Sequence, residues 1–225
     1  MSTLGGRTIA KLHELVIPPG GGWLADLTLE SGAAPTVGAR LDLVVADLIL
    51  SAGLVLRSGL DAPDQPRATV AGGGGWRTLL TGASYYSPGG VRLSTVLRDL
   101  AAVAGEPYDA PTEAILGKAW GWAGSTPRAP VDARAALSAL RAHGAIRGWR
   151  VATSGRTRFD AWPAGADVTS LGRVVARDQS RGVRRVELDS RLAPFLPGAR
   201  IEGATIRRVI VRGVPGLLAV EAWES

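Results

Sequence analysis

The clearest amphipathic pattern in the chain lies between residues 93 and 104. Leu93, Val96, Leu97, Leu100 and Ala104 recur at spacings of three and four, which places them on one face of a helix with 3.6 residues per turn. A glycine follows this run at position 105 and a proline at position 107, and both residue types commonly end helices. The pattern predicts a helix over 93–104 whose apolar face packs into a core.

A second helix is predicted over 132–143. Its apolar stripe consists of Ala133, Ala136, Leu137 and Leu140, and Asp132 is a suitable N-cap because its carboxylate can accept a hydrogen bond from the first turn. Two apolar-rich runs, 146–153 and 157–162, flank a Ser-Gly turn and predict a β-hairpin after this helix. Helices followed by a hairpin indicate a small α/β insert, and a further short strand is predicted near 119–123.

The residues before the first helix alternate with the period of a strand. Trp23, Ala25, Leu27 and Leu29 share one face, whereas Asp26 and its alternate neighbours share the other, so this segment predicts a half-buried strand. Similar runs at spacings of 8 to 12 residues give about six strands in the first 82 residues. That rhythm is typical of a sandwich or a small barrel.

Two segments in this part leave a choice or make a specific prediction. The apolar runs 39–50 and 54–57 indicate either two strands with a tight bend or one long strand with a bulge at 51–53. The run 76–80, directly after four glycines, predicts a strand.

Strands return after residue 165. The candidate strands cover 173–176, 182–189, 200–201 with 205–211, and 217–223, with Pro-Gly turn dipeptides at 197–198 and 215–216. The sequence therefore predicts a mainly β fold with a small α+β insert. Its three predicted segments are an N-terminal β-barrel at 1–82, an α/β insert at 83–165 with two helices and a hairpin, and a C-terminal small β-barrel at 166–225.

Composition narrows the class of protein. The chain of 225 residues contains no cysteine, which rules out disulfides and thiol chemistry. No apolar run approaches the ~20 residues that span a bilayer, and the first residues lack a signal-peptide pattern, so we expect synthesis and folding in the cytoplasm. The net charge of +6 comes almost entirely from arginine. The doublets at 184–185 and 207–208 fall on predicted strands, where neighbours face opposite ways, so they form no concentrated nucleic-acid site.

No catalytic, cofactor-binding or metal-binding residues are predicted. His13 and His143 are far apart and have no carboxylate at ligand spacing. The glycines at 72–75 lack the Gly-Lys-Ser/Thr ending of a phosphate loop, and Trp76 follows instead, which favours a turn with close backbone approach. Asp61 and Asp64 lie in a proline-rich loop, where we expect solvated turn residues. The chain is therefore expected not to be an enzyme.

Seven tryptophans are spread over every segment. Trp23, Trp149 and Trp223 are in phase with apolar strand neighbours, so we expect them in cores. Trp120 and Trp122 lie one residue apart in a loop-like stretch, and we expect this pair to be exposed or to face another subunit.

The order of these motifs resembles the baseplate or tail-hub proteins of tailed phages and related contractile particles. The resemblance rests on the following stretches: Pro-Pro at 18–19, Asp-x-Pro-Asp at 61–64, VAGG at 70–73, VLRDLAAVAGE at 96–106, LPGARIEG at 196–203 and IRRV at 206–209.

This resemblance implies a structural role in a virion tail or baseplate. The expected assembly is a homotrimer in which two barrel-like domains per subunit form a pseudo-sixfold ring. The ring matches a hexameric tail tube on one side and holds a central spike or tip protein on the other. No cofactor or membrane segment is implied, and nucleic acid is expected only in passage through a channel.

Two alternatives remain open at this stage. A carbohydrate- or cell-wall-binding tail component predicts exposed tryptophans. A basic nucleic-acid-binding protein predicts retention on DNA that falls steeply with salt.

Overall fold

Six strands close an antiparallel barrel in the first third of the chain, in a computed structural model that describes residues 2–188, 191–214 and 217–224. The strands pair in the order β1-β4-β5-β6-β3-β2, and β2 returns to β1. This confirms the predicted mainly β fold and its N-terminal barrel. The strands are β1 (Thr3–Leu4), β2 (Arg7–Ile17), β3 (Leu24–Leu29), β4 (Arg40–Val45), β5 (Leu48–Ala62) and β6 (Gln65–Ala71).

Alternate side chains along these strands point into the core of the barrel. Trp23, Ala25, Leu27 and Leu29 are buried, as the sequence pattern predicts. Leu15 on β2 and Val70 on β6 are likewise inaccessible to solvent. Full burial of such side chains contributes about 1.5–3 kcal/mol each, so the alternation is what stabilises the sheet.

Both predicted helices are present in the insert. α1 (Leu93–Ala104) ends at Gly105, whose φ of 62° is left-handed. Asp132 caps α2 (Ala133–Ala142), and its side chain accepts a hydrogen bond from Ala135 N. Neither helix of the described chain has the length and apolar character needed to cross a membrane. The insert strands are β7 (Ala83–Tyr86), β8 (Ala119–Trp122), β9 (Arg150–Val151) and β10 (Thr157–Arg158).

The remaining strands extend the barrel sheet. They are β11 (Gly172–Asp178), β12 (Val183–Leu188), β13 (Arg200–Ile201), β14 (Ala204–Val214) and β15 (Leu217–Glu224). β14 pairs with β2, and the sheet continues through β15 and β12 to β11, while β13 pairs with β14. The strand β2 therefore serves three ladders. It pairs with β3 along most of its length, its first residues pair with β1, and the residues from Leu12 to Ile17 pair with β14.

The chain divides into two compact units. The larger unit comprises Met1–Gly74, Thr153–Gly155 and Trp162–Ser225, and the insert unit comprises Gly75–Ala152 and Arg156–Ala161. The hydrogen bonds between β2 and β14 lie inside the larger unit. The sequence-based division at residues 82 and 165 stays a prediction about domains.

One local prediction is wrong, and one is confirmed only in part. The run 76–80 is not a strand, because a 3₁₀ turn at Gly74–Arg77 carries Trp76 into the insert core, where its Nε1 donates to Thr157 Oγ1 at 2.8 Å. The prediction for 39–57 is confirmed in part. The predicted irregularity at 51–53 is present, because the β4–β5 register shifts there and Ala52 has a φ of 55°, but the reversal between strands lies earlier than the sequence pattern indicates. The chain reverses at Ala46, whose φ is 54°, and β5 runs through positions 51–53 to Ala62. Residue 189 and the predicted turn at 215–216 lie outside the described residues.

Candidate assembly surfaces

The two histidines lie in different environments. His13 Nε2 lies 2.8 Å from Thr28 Oγ1 and 3.9 Å from Asp61 Oδ2. His143 follows α2 and meets Trp120 edge-on, with 5.0 Å between ring centroids. Within the described ranges, no three His, Cys, Asp or Glu side chains are grouped so that they could hold a metal ion. His13 thus makes local polar contacts, and His143 makes an aromatic one.

The two loop aspartates differ from one another. Asp64 occupies the turn with a φ of 62°, in agreement with the prediction of a turn residue. Asp61 ends β5 and accepts hydrogen bonds from Thr28 Oγ1 at 3.2 Å and Arg67 at 3.5 Å. Asp61 therefore lies on a strand and makes cross-strand polar contacts, and it remains exposed to solvent.

Close approach explains three of the four glycines at 72–75, and the fourth, Gly73, has a left-handed φ of 66°. A Cβ on Gly72 would collide with the indole of Trp23, and a Cβ on Gly74 would lie 2.8 Å from the Cβ of Leu54. A Cβ on Gly75 would overlap the carbonyl oxygen of Ala104. Substitution by any larger residue therefore forces atoms apart. The turn interpretation is confirmed, and the run is not a phosphate loop.

Ion pairs cross the outer face of the larger unit from strand to strand. Arg185 on β12 lies 3.4 Å from Glu221 on β15, and Arg212 on β14 contacts both Glu221, at 3.2 Å, and Glu14 on β2, at 2.5 Å. The pairing with Glu14 raises the pKa of Arg212. We call these four residues the ion-pair row. Since each charge has an opposite neighbour, this face is largely self-neutralised.

Glu202 forms a second charged group in the same unit. It accepts hydrogen bonds from Arg177 and Arg184, and the bond from Arg177 is the main reason that the pKa of Glu202 is lowered. Arg184 and Arg185 are adjacent in sequence but pair with different acids, as expected for neighbours on a strand.

Trp120 and Trp122 are not fully exposed, which corrects one of the two alternatives for this pair; the other, contact with another subunit, stays a prediction. Both side chains are half-buried against the insert core. The ring of Trp122 lies 5.6 Å from that of Tyr85, and its Nε1 donates to Thr81 O at 3.0 Å. Burial and the hydrogen bond to Asp99 raise the pKa of Tyr85 to about 12. Of the seven tryptophans, all within the described ranges, two are buried and five are half-buried.

Two apolar features of the larger unit are accessible to a partner. In the described chain β11 pairs only with β12, so its other edge is unpaired, and Val175 at its bulge is 40% exposed. Val214 and Leu217 lie opposite each other on β14 and β15 and are 42% and 73% exposed. Unpaired edges and exposed apolar side chains are features through which β proteins add further chains. The sequence pattern gave no signal for either feature.

Comparison with known proteins shows which solved structures have a similar fold. No protein-family model matches the chain, and no curated protein matches it in sequence. The solved structures that match its fold include the following three proteins.

The 43 kDa tail protein of prophage MuSo2 from Shewanella oneidensis aligns over 98% of this chain and 96% of its own, with a TM-score of 0.63 and 9% identity. The E. coli c3393 protein aligns over 100% of this chain and 77% of its own, with a TM-score of 0.57 and 9% identity. It is described as a type VI secretion component with structural similarity to the T4 tail proteins gp27 and gp5. A tail protein from Neisseria meningitidis MC58 aligns over 100% of this chain and 96% of its own, with a TM-score of 0.54 and 10% identity. The resemblance to tail proteins is therefore confirmed at the level of the fold.

Proposed function

We propose that this chain is a structural component of a phage-like tail, forming an oligomeric hub ring that joins the tail tube to the central spike or tip. The observation that carries the proposal is the whole-chain match to tail proteins, since the alignments cover 98–100% of the chain and leave no additional segment to explain. The corresponding location is the virion tail or baseplate, after synthesis in the host cytoplasm. The role is structural and not enzymatic.

The proposed ring is a homotrimer. A closed ring with cyclic symmetry requires every subunit to present two different surfaces, each complementary to the other. The unpaired edge of β11 and the apolar pair Val214 and Leu217 are features suited to such contacts. We further propose that segments 1–82 and 166–225 supply the two barrel-like parts of each subunit that adapt a threefold ring to a hexameric tube.

Native mass tests the assembly. The subunit mass is 23.3 kDa, and we expect mass photometry to give three times this value and negative-stain electron microscopy to show rings. A monomer at every concentration, without rings after addition of the tail tube protein, would contradict the hub.

A charge on the β11 edge tests where the ring closes. We expect Val175→Glu to convert the trimer to monomer, because a desolvated carboxylate at a subunit contact is costly. Val103→Glu is the matched control, since Val103 on α1 is 49% exposed and belongs to the insert unit. If both variants remain trimeric, the β11 edge is not a subunit contact.

A further inference from the structure

An open groove of about 660 Å³ runs across the insert unit. Its walls come from three separate segments, 109–112, 144–147 and 158–160. Ile146 and Phe159 contribute to its lining and are only 4% and 7% exposed, so part of the floor is apolar. This volume lies in the range of clefts that bind ligands.

Two arginines and two acids line this groove, and two further arginines pair with the lining acids. Asp109 accepts hydrogen bonds from Arg156 at 2.5 Å and Arg158 at 2.9 Å, and the bond from Arg156 is the main reason that the pKa of Asp109 is lowered. Asp109 therefore stays ionised and its charge is already matched.

The second acid is also matched, but one arginine is not. Asp160 lies 2.9 Å from Arg150. Arg147, by contrast, lines the groove, is exposed, and forms no ion pair with any residue in the described ranges. The groove thus keeps a positive charge that an incoming group can neutralise.

Backbone groups along one wall are also free. Asp109 N donates to Thr157 O, but residues 110–112 form no hydrogen bond to backbone elsewhere in the described chain. This stretch has no helical or strand pairing of its own. An extended polypeptide can bind beside such a segment, with main-chain hydrogen bonds giving affinity and side-chain contacts giving specificity.

We infer that this groove binds an extended acidic segment of a partner protein, with an apolar side chain over Ile146 and Phe159 and a carboxylate on Arg147. The charge of the insert unit supports an acidic occupant, because its range contains eleven basic and six acidic residues. No exposed aromatic side chain lines the groove, so the stacking that single-stranded nucleic acid uses has no platform there. The inference does not depend on the proposed ring.

Fluorescence anisotropy tests the inference on the full chain. The probe is a short fluorescein-labelled peptide of alternating glutamate and leucine. We expect saturable binding that Arg147→Glu weakens by about tenfold or more, because a like charge replaces the attractive one. Arg128→Glu is the matched control: it makes the same charge change on an exposed residue of the same unit that does not line the groove, and we expect a change below about twofold.

A second variant tests the shape of the groove without changing its charge. Ala110 is exposed and lines the groove, so Ala110→Trp fills space without altering charge and is expected to weaken peptide binding while circular dichroism stays unchanged. Absence of peptide binding, equal losses in Arg147→Glu and Arg128→Glu, or full competition by duplex DNA would each overturn the inference. Equal binding of a lysine–leucine peptide would also overturn it.

Discussion

The two units differ in how they use charge. The range of the larger unit contains fifteen basic and fourteen acidic residues, whereas the insert unit contains eleven and six. In the larger unit the ion-pair row and the group around Glu202 match arginines to acids across strands. In the insert Arg147 lines a groove and has no ion-pair partner within the described part of the chain. The difference is that charges in the larger unit are matched within the unit, whereas the insert keeps a net positive charge.

The two units also differ in the elements that build their cores. The larger unit is stabilised by strand ladders around side chains such as Trp23, and the insert by two helices and a hairpin around Trp76. Each of these tryptophans is 2% exposed or less. The two units therefore offer matched positions at which one core can be damaged and the other left intact.

The largest effect is expected from emptying one core. Trp76→Ala removes a buried indole and the hydrogen bond to Thr157, and we expect a loss of about 3–5 kcal/mol in the free energy of unfolding. Hydrogen exchange followed by mass spectrometry should show faster exchange in α1 and α2 with the barrel strands still protected. Trp23→Ala should give the reverse distribution. Equal loss of protection in both units for both variants would mean that the chain unfolds as one.

A smaller effect is expected at the start of the insert. Gly75→Ala introduces a Cβ that overlaps Ala104 O, so we expect destabilisation of about 1–3 kcal/mol in urea unfolding. Gly89→Ala is the control, because a Cβ there meets nothing within 4 Å. Equal stability of the two variants would show that the backbone around Gly75 relaxes freely.

Loss of the α2 cap is expected to cost about 1 kcal/mol. Asp132→Ala removes the carboxylate that accepts from Ala135 N at 3.2 Å. Asp132→Asn keeps a capping oxygen and should retain most of the stability, although it loses the ion pair with Arg134. The midpoint of urea unfolding distinguishes them, and equal midpoints for Asn and Ala would assign the effect to the ion pair.

The smallest expected effect is on the loss of stability at acid pH. The folded-state pKa of Asp109 is lowered by Arg156, so its contribution to stability is present above the unfolded-state pKa and is lost as pH falls through the folded-state pKa. Asp109→Asn should therefore reduce the acid sensitivity of the insert. Glu202→Gln should do the same for the larger unit, because Arg177 lowers that pKa as well. Thermal melts from neutral to acidic pH measure both; an unchanged pH dependence in Asp109→Asn would contradict the assignment.

Local signals account for what the sequence predicts well. Helix α1 begins and ends at the predicted residues, because apolar spacing and Gly105 are enough to define it. Alternation likewise predicts β3, and the barrel follows from the number and spacing of strands. These features depend on neighbours in sequence.

The sequence does not predict features that depend on contacts between residues far apart in the chain. The turn at Trp76 is fixed by Thr157, which lies 81 positions later, so no local pattern could distinguish it from a strand. The pairing of Val16 with Ile210 also has no local signal. The candidate groove joins three segments that are unremarkable individually, and for this reason the sequence indicated no site residue there.

The pairing of β2 with both β1 and the late strand β14 has a consequence for synthesis of the protein. Ile210 leaves the ribosome about 190 residues after Val16, which corresponds to roughly 10–40 s at ordinary translation rates. During that interval the nascent chain carries an apolar strand whose second neighbour has not yet been made. Slow decoding or crowded polysomes would lengthen its exposure to other nascent chains, so the yield of native protein should depend on translation speed as well as on the finished sequence.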